Sequence, residues 1–161
     1  MLDVVEITIE EFEDNIYSHY IELFPKDEQR EWKNITKTYN LGIEKFYKIV
    51  LDNETIGFFL LEKIKDYPYY VDYFAIYKKY QNKGYGFKAF SKLIDKYKDI
   101  GVIGEIEEVK DDNLITVRRF EFYKRLGFRK VGSLYYLYNV LYEPIVVNCN
   151  LDKEVILYYV H

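Results

Sequence analysis

The spacing of apolar residues predicts helices near the start of the chain. Apolar positions recur every three or four residues over 9–23, as on one face of an amphipathic helix. These positions are Phe12, Ile16, Tyr20 and Leu23. Thr8 and Glu11 form a capping box at the start of this segment. Pro25 interrupts the pattern, and because proline suits the first turn of a helix, a second helix is predicted over 26–39.

Strands are predicted next, because the chain becomes rich in β-branched and aromatic residues. The first three predicted strands are residues 46–51, 55–64 and 70–77. Asp52, Asn53 and Glu54, between the first two, tolerate the geometry of a hairpin turn. Helical spacing returns over 84–98, and 101–109 is predicted as the next strand.

The last part of the chain contains one more predicted helix and then a strand-like pattern. Asp111 or Asp112 is predicted to cap this helix, and Gly127 to end it. Its predicted apolar face consists of Ile115, Phe122 and Leu126. The strands predicted after it are residues 131–142, 145–148 and 155–160. The order of elements indicates one α+β domain over residues 1–161, with a mixed central sheet flanked by helices.

The composition fits a soluble domain, since 49% of the residues are hydrophobic and 31% are charged. A single Cys excludes an internal disulfide framework and favours a reducing compartment. No apolar run approaches the roughly 20 residues that span a bilayer, and residues 1–6 lack the pattern of a signal peptide. We therefore expect a cytoplasmic protein that does not interact with a membrane.

The charge is unevenly distributed along the chain. A net charge of -4 and a pI near 5.3 argue against a nucleic-acid binder. Residues 78–98 are nevertheless strongly basic, with seven Lys against Asp95, while residues 1–31 carry ten carboxylates against Lys26 and Arg30. Solvated helix faces are the favoured interpretation of each patch taken alone. The alternative is an anionic ligand at one site and a cationic ligand at another.

The strongest functional signal is a glycine-rich turn at residues 81–86, with the sequence QNKGYG. It lies between a predicted strand and a predicted helix, where unpaired N–H groups and glycines suit a pyrophosphate. An ordinary loop that needs glycine for its backbone angles is the alternative. A P-loop is excluded, because Gly-Lys-Ser/Thr is absent. Residues 84–89 match the dinucleotide fingerprint, but the chain provides only one parallel crossover.

Two motifs resemble those of the GNAT N-acetyltransferase superfamily. The spacing Gln81-x-x-Gly84-x-Gly86 is similar to the family's acetyl-CoA pyrophosphate loop. Residues 118–128, RRFEFYKRLGF, resemble its downstream helix motif, with a Phe-Tyr pair and a terminal Gly-Phe. The resemblance extends over about residues 70–132. It implies a GNAT-like fold, in which splayed central strands hold acetyl-CoA as co-substrate.

The resemblance also assigns cofactor contacts to two segments. Main-chain groups of Phe74, Ala75 and Ile76 would pair with the pantetheine arm, and an N–H near Ile76 would stabilise the oxyanion on the thioester. The predicted loop contacts are Gln81, Asn82, Lys83, Gly84, Tyr85, Gly86 and Phe87. The alternative for residues 73–76 is a simple core strand, and both interpretations hold together because the proposed role uses only backbone.

Acyl transfer from a thioester to an amine needs a base and an acid. In the family, a tyrosine on the downstream helix often protonates the departing sulfur, and the matching residue is Tyr123. Glu105 and Glu107 face one side of their strand, so either could deprotonate the amine directly or through water. Glu105 is the first choice. The alternatives are a core tyrosine and a solvated strand face.

Other chemistries have little support in the sequence. Cys149 has no His near it in sequence and is interpreted as a small core residue. Two His and one Cys cannot form a tetrahedral zinc site, so no metal is expected. Arg118 and Arg119 could reach phosphates or border their helix, and the second interpretation is favoured.

We therefore expect an N-acetyltransferase that moves the acetyl group from acetyl-CoA directly to a primary amine. The acidic first helices would flank the acceptor, which favours a small cationic molecule such as a polyamine or an amino sugar; a protein N-terminus or lysine stays open. The alternatives are a non-catalytic acyl-CoA-binding or interaction module and, against the pI, a nucleic-acid module. The strand-rich C-terminal segment could add to the sheet of a second copy, so a homodimer is also open.

Overall fold

A computed structural model describes residues 1–132, 135–137 and 140–150. The strands are β1 (Leu2–Ile7), β2 (Glu44–Leu51), β3 (Glu54–Glu62), β4 (Tyr69–Ile76), β5 (Val102–Glu107), β6 (Arg129–Lys130), β7 (Tyr135–Leu137) and β8 (Val140–Val147). The helices are α1 (Ile9–Asn15), α2 (Tyr17–Leu23), α3 (Trp32–Asn40), α4 (Tyr85–Lys96) and α5 (Leu114–Arg125), with short 3-10 helices at Lys26–Glu28 and Lys78–Tyr80. The strand predicted over 155–160 lies outside the described residues.

The strands form one mixed sheet, as predicted. Its order is β1-β2-β3-β4-β5-β8-β6, and β7 pairs with β8. Every pair is antiparallel except β4 with β5. One face packs against α4 and α5, and the other packs against α1, α2 and α3. None of the helices in the described part of the chain is long and apolar enough to cross a membrane.

Local residue preferences explain the edge of the sheet. Asp52 and Asn53 have φ values of 48° and 72°, the left-handed conformation that a two-residue hairpin turn requires, which confirms the predicted turn. Strand β1 was not predicted, although Leu2 and Val4 are buried and alternate with exposed residues. This short alternation was the sequence pattern from which β1 could have been predicted. Pairing with β2 completes the strand.

The helix predicted over 9–23 is divided into α1 and α2. The backbone at Ile16 has φ -122° and ψ -31°, outside helical values. Phe12, Ile16 and Tyr20 are nevertheless all buried, so the predicted apolar stripe is confirmed on both sides of the bend. The prediction of one continuous helix was wrong.

The helix predicted over 26–39 begins only at Trp32, because Gln29 and Glu31 are extended and hydrogen bonds to other parts of the chain hold this stretch. The Arg30 N–H donates to the Tyr20 hydroxyl at 2.8 Å. The Gln29 side-chain amide donates to the carbonyls of Ile21 and Phe24 at 2.9 and 2.8 Å. These bonds replace the helical ones that local propensity favours.

Helix α5 is capped by Asn113 and not by either predicted aspartate. The Asn113 side-chain oxygen accepts from the Ile115 N–H at 3.2 Å. The Thr116 hydroxyl is buried and accepts from the Lys110 N–H. Ile115 is 61% exposed, so its predicted place on the buried face was wrong. Gly127 has φ +97° and ends the helix as predicted.

Close backbone packing fixes β4 against β3. A Cβ on Gly57 would lie 2.3 Å from the Ala75 carbonyl oxygen. Further along the pair, Leu60 is opposite Tyr73 and Leu61 is opposite Val71, so Asp72 is the extra residue of a β-bulge. Val71 and Phe74 both pack on the face of the sheet toward α4 and α5. Because of the bulge, Asp72 and Tyr73 between them both lie on the opposite face, toward α1, α2 and α3.

We expect Gly57→Ala to destabilise the protein by about 1–3 kcal/mol, because the new methyl group would displace the β4 backbone. Gly104→Ala is the matched control on β5, since a Cβ there would make ordinary contact with Ile145 at 3.4 Å. Urea unfolding of both variants measures the difference. Equal stability of the two variants would contradict the close packing of β3 on β4.

Candidate active site

A cleft opens in the middle of the sheet because β4 and β5 separate. Their parallel pairing consists of Tyr69 with Val102 and Tyr70 with Ile103. Beyond this point β4 continues to Ile76 and β5 to Glu107 without further pairing between them. The expected splayed central strands are therefore present, and the main-chain groups along the inner edge of β4 are free of ladder bonds to β5.

The backbone of β4 directs specific groups into this cleft. The Tyr77 N–H donates to the Ile56 carbonyl at 2.8 Å, and the Ala75 carbonyl lies against Gly57, so both point toward β3. Main-chain groups of successive strand residues point to opposite sides. The N–H groups of Phe74 and Ile76 therefore point away from β3 and toward the cleft.

The glycine-rich turn connects β4 to α4. The Gln81 side-chain amide donates to the Ile76 carbonyl at 2.8 Å and ties the turn to the end of β4. Gly84 precedes α4 with φ +83°, a left-handed conformation that glycine adopts without strain. Gly84 has no side chain that could cap the first turn of α4, and no side chain of the described residues bonds to the N–H groups of this turn, which are therefore available to an anion.

A cavity of about 690 Å³ joins the end of β4 to this turn. Its walls include most of the predicted cofactor residues: Phe74, Ala75, Ile76, Gln81, Asn82, Gly84, Gly86 and Phe87. Lys83 and Tyr85, also predicted, are not among the lining residues. The opposite walls come from Leu23 and Phe24, at the end of α2, and from three residues of α5. The structure thus brings the two sequence motifs to one cavity.

Two arginines of α5 face the turn across this cavity. Arg119 and Arg125 line it together with Phe122. The Arg125 guanidinium lies 5.3 Å from the Phe87 ring centroid, and Arg119 Nη1 lies 3.6 Å from a Glu107 carboxylate oxygen. From the sequence, Arg119 was predicted to border its helix without reaching a phosphate, and no role was predicted for Arg125. Arg119 and Arg125 each lie three residues from Phe122, and this helical spacing was the sequence signal that could have placed them beside it.

Tyr123 packs beside the cavity and is not among its lining residues. Its ring contacts Phe90 and Phe128, with centroid separations of 5.8 and 5.6 Å. Burial raises the pKa of Tyr123 to about 12, although the nearby Arg119 charge opposes this shift. The hydroxyl is therefore protonated at neutral pH, the state that a proton donor needs.

The two predicted bases have different surroundings. Glu105 accepts hydrogen bonds from the hydroxyls of Tyr135 and Tyr70. Burial raises the pKa of Glu105, and these hydrogen bonds oppose the shift. Glu107 is partly exposed and faces Arg119. Glu105 is therefore the more desolvated of the two carboxylates.

Cys149 is partly buried against Gly101, where a Cβ would lie 2.6 Å from the Cys149 Cβ. Burial raises the pKa of the Cys149 thiol, which disfavours the reactive thiolate. Its surroundings fit the predicted role of a small core residue.

A cluster of largely buried polar and charged side chains, which we call the Arg30 cluster, was not predicted from the sequence. It consists of Arg30, Thr38, Glu44, Glu62 and Asp72. The Arg30 Nη1 donates to Glu44, to Asp72 at 2.5 Å and, more weakly, to Glu62 at 3.4 Å. These carboxylates come from β2, β3 and the β4 bulge. Their separations in sequence from Arg30, 14 to 42 residues, leave no local pattern to detect.

The Arg30 cluster contains more carboxylates than cations. Burial, followed by repulsion from Asp72, raises the pKa of Glu44 to about 8 and that of Glu62 to about 9. One oxygen of Glu44 is buried with no hydrogen-bond partner among the described residues, and this costs less free energy for a neutral carboxyl than for a carboxylate. The cluster therefore holds protons at neutral pH, and the Asp72 carboxylate is paired with the Arg30 guanidinium.

We expect Glu62 to make folding stability depend on pH. The pKa of Glu62 is about 9 in the folded state against an ordinary 4.5. The stabilising contribution of the protonated Glu62 carboxyl is therefore fully present below about pH 4.5 and is lost as the pH rises to 9. The free energy of unfolding of the wild type relative to Glu62→Gln should fall by up to about 1.4 kcal/mol per pH unit in this range. Urea unfolding between pH 5 and pH 9 measures this difference.

Glu13→Gln, at an exposed position of α1, is the matched control and should show no such slope. A wild-type stability that rises relative to Glu62→Gln across the same range would contradict a protonated Glu62.

The comparisons with known proteins agree with this geometry. A family model described as the acetyltransferase (GNAT) family matches residues 6–128. No curated protein matches the chain in sequence.

Solved structures resemble the chain over nearly its whole length. A protein from Bacteroides thetaiotaomicron, described as an acetyltransferase of the GNAT family, has 26% identity and a TM-score of 0.77, covering 94% of this chain and 89% of its own. The Escherichia coli ribosomal-protein-S18-alanine N-acetyltransferase has 15% identity and a TM-score of 0.67, with 96% and 97% covered. An Elizabethkingia anophelis GNAT acetyltransferase with acetyl-CoA bound has 14% identity and a TM-score of 0.64, with 92% and 98% covered.

Proposed function

Because the chain belongs to the GNAT acetyltransferase family, we propose that it transfers the acetyl group of acetyl-CoA directly to a primary amine of a small, cationic acceptor. The observation that carries the proposal is the cavity that joins the end of β4, beyond its last pair with β5, to the glycine-rich turn. It offers backbone donors at one end and the uncapped start of α4 at the other.

The cofactor would extend along β4. The N–H groups of Phe74 and Ile76 face the cleft and would pair with the pantetheine arm, since β5 does not pair with β4 there. The pyrophosphate would bind at Gly84 and Gly86, where the N–H groups of α4 begin. The predicted loop contacts of Lys83 and Tyr85 remain predictions. Arg119 and Arg125, on the facing wall, would add positive charge toward the phosphates.

The reaction would proceed through a tetrahedral intermediate. The amine nitrogen attacks the thioester carbon, forming the C–N bond, and the Ile76 N–H stabilises the negative charge on the oxygen. Glu105 removes the proton of the attacking amine, directly or through water, with Glu107 as the alternative base. The C–S bond then breaks, and Tyr123 gives its proton to the CoA sulfur.

Acidic groups near the cleft favour a cationic acceptor. The carboxylates left for an acceptor are Glu105 and Glu107, because Glu44 and Glu62 hold protons and Asp72 is paired with Arg30. Glu107 also lies on the face of β5 that carries Glu105. A positively charged molecule would be attracted to this region.

A second candidate is a non-catalytic acyl-CoA-binding module with the same fold. It is favoured by one observation, that Tyr123 packs against aromatic rings outside the cavity lining. Binding of acetyl-CoA without any transfer would support this candidate and exclude the enzyme.

The direct test is release of free CoA thiol from acetyl-CoA in the presence of amines. Polyamines, amino sugars, amino acids and peptides with free N-termini form a suitable panel, and mass spectrometry identifies the acetylated product. We expect transfer to a polyamine or an amino sugar and little transfer to neutral or acidic amines. Transfer to an acidic amine alone would contradict the cationic acceptor.

We expect Tyr123→Phe to lower kcat by about 10²–10⁴-fold, because the CoA sulfur would lose its proton donor. The affinity of this variant for acetyl-CoA, measured by calorimetry, should stay within about twofold, because the phenyl ring would still pack on Phe90 and Phe128. Tyr17→Phe, at a partly buried position of α2, controls for the general effect of losing a tyrosine hydroxyl. An unchanged kcat in Tyr123→Phe would exclude Tyr123 as the acid.

A further inference from the structure

We propose that Arg30 is a positioning residue for the acceptor side of the cleft, because it fastens residues 24–31 to three strands of the sheet. This inference rests on the proposed function for its effect on catalysis. The underlying attachment is a property of the fold and can be measured separately.

Residues 25–31 depend on polar contacts for their position, whereas Phe24 packs on the rings of Tyr20, Phe58 and Tyr73. The segment contains one short 3-10 helix, and its residues are exposed or partly buried. The Tyr73 hydroxyl donates to the Glu28 carbonyl, and the Arg30 N–H donates to Tyr20. The Gln29 side chain closes the segment on itself by donating to Ile21 and Phe24.

The Arg30 guanidinium makes the connection to the sheet. Its side chain is only 18% exposed, and Nη1 reaches carboxylates from β2, β3 and β4 while Nη2 donates to Thr38 of α3 at 3.1 Å. A planar guanidinium can bond several acceptors at once, which the single ammonium of lysine does less well. One side chain therefore joins the segment, α3 and three neighbouring strands.

The position of these contacts relates Arg30 to the cleft. Asp72, its partner at 2.5 Å, is the extra residue of the β4 bulge, two residues after the last pairing with β5. At the other end of the segment, Phe24 lines the cavity and packs on Tyr73 with a centroid separation of 4.9 Å. Arg30 thus holds β4 opposite Phe24, and it also holds the far end of the segment that begins at Phe24.

Neither Arg30 nor its partners line the cavity, and the cofactor turn is held separately through Gln81. Loss of the guanidinium should therefore loosen the Phe24 wall while leaving the turn in place. The acceptor is the substrate that would be affected, and acetyl-CoA would bind as before.

The test compares Arg30→Met and Arg30→Lys with wild type. Lys33→Met is the matched control, because it removes a nearby cation whose partner, Glu31, is exposed. Hydrogen exchange of peptides covering residues 21–31 reports the attachment, calorimetry reports acetyl-CoA affinity, and the transfer assay reports KM for the acceptor. Asp72→Asn replaces Arg30→Met if the latter does not fold.

In Arg30→Met we expect exchange in residues 21–31 and the acceptor KM to rise at least about tenfold, with acetyl-CoA affinity within about twofold; tenfold corresponds to about 1.4 kcal/mol. Arg30→Lys should recover part of both losses. Unchanged exchange, or a parallel loss of acetyl-CoA affinity, would overturn the proposal.

If wild type binds acetyl-CoA but transfers nothing, the proposed function fails, and exchange alone decides whether Arg30 fastens the segment. If wild type transfers the acetyl group and Arg30→Met changes exchange without changing the acceptor KM, the positioning role fails and the proposed function stands.

Discussion

The separation of β4 from β5 is the constraint on which the rest of the site depends. Two residue pairs hold the parallel strands together, and beyond them the edge of β4 has no partner in β5. An unpaired strand edge in the interior is costly unless something satisfies its main-chain groups. Here the groups face a cavity that ends at the uncapped start of a helix, a geometry that suits an extended ligand with a phosphate end.

The two faces of the sheet on either side of this separation carry different side chains. Helices α4 and α5 carry the basic and aromatic side, with Arg119 and Arg125 toward the glycine-rich turn. The other face carries the buried carboxylates of the Arg30 cluster and Glu105. An anionic cofactor would thus approach from the face that carries Arg119 and Arg125. The β4 bulge brings Asp72 onto the acidic face.

Much of this arrangement could be predicted from the sequence, because it depends on local patterns. Residues close in sequence encode the Asp52-Asn53 turn, the helical spacing of residues 84–98, and the two motifs at residues 81–86 and 118–128. Nonlocal contacts could not be predicted in the same way. Arg30 meets Asp72 across 42 residues, and that contact, with the Tyr20 bond, replaces the helix that propensity favours. The Asp72 bulge likewise depends on the partner strand.

The central claim is that acetyl-CoA binds between β4 and β5 with its phosphates at α4. Hydrogen exchange with and without saturating acetyl-CoA tests this most directly, with NAD at the same concentration as the comparison. The account predicts that acetyl-CoA slows exchange in peptides covering residues 73–77 and 84–88, and that NAD does not. Slowed exchange of these peptides by NAD alone, or protection by acetyl-CoA confined to other parts of the chain, would contradict it.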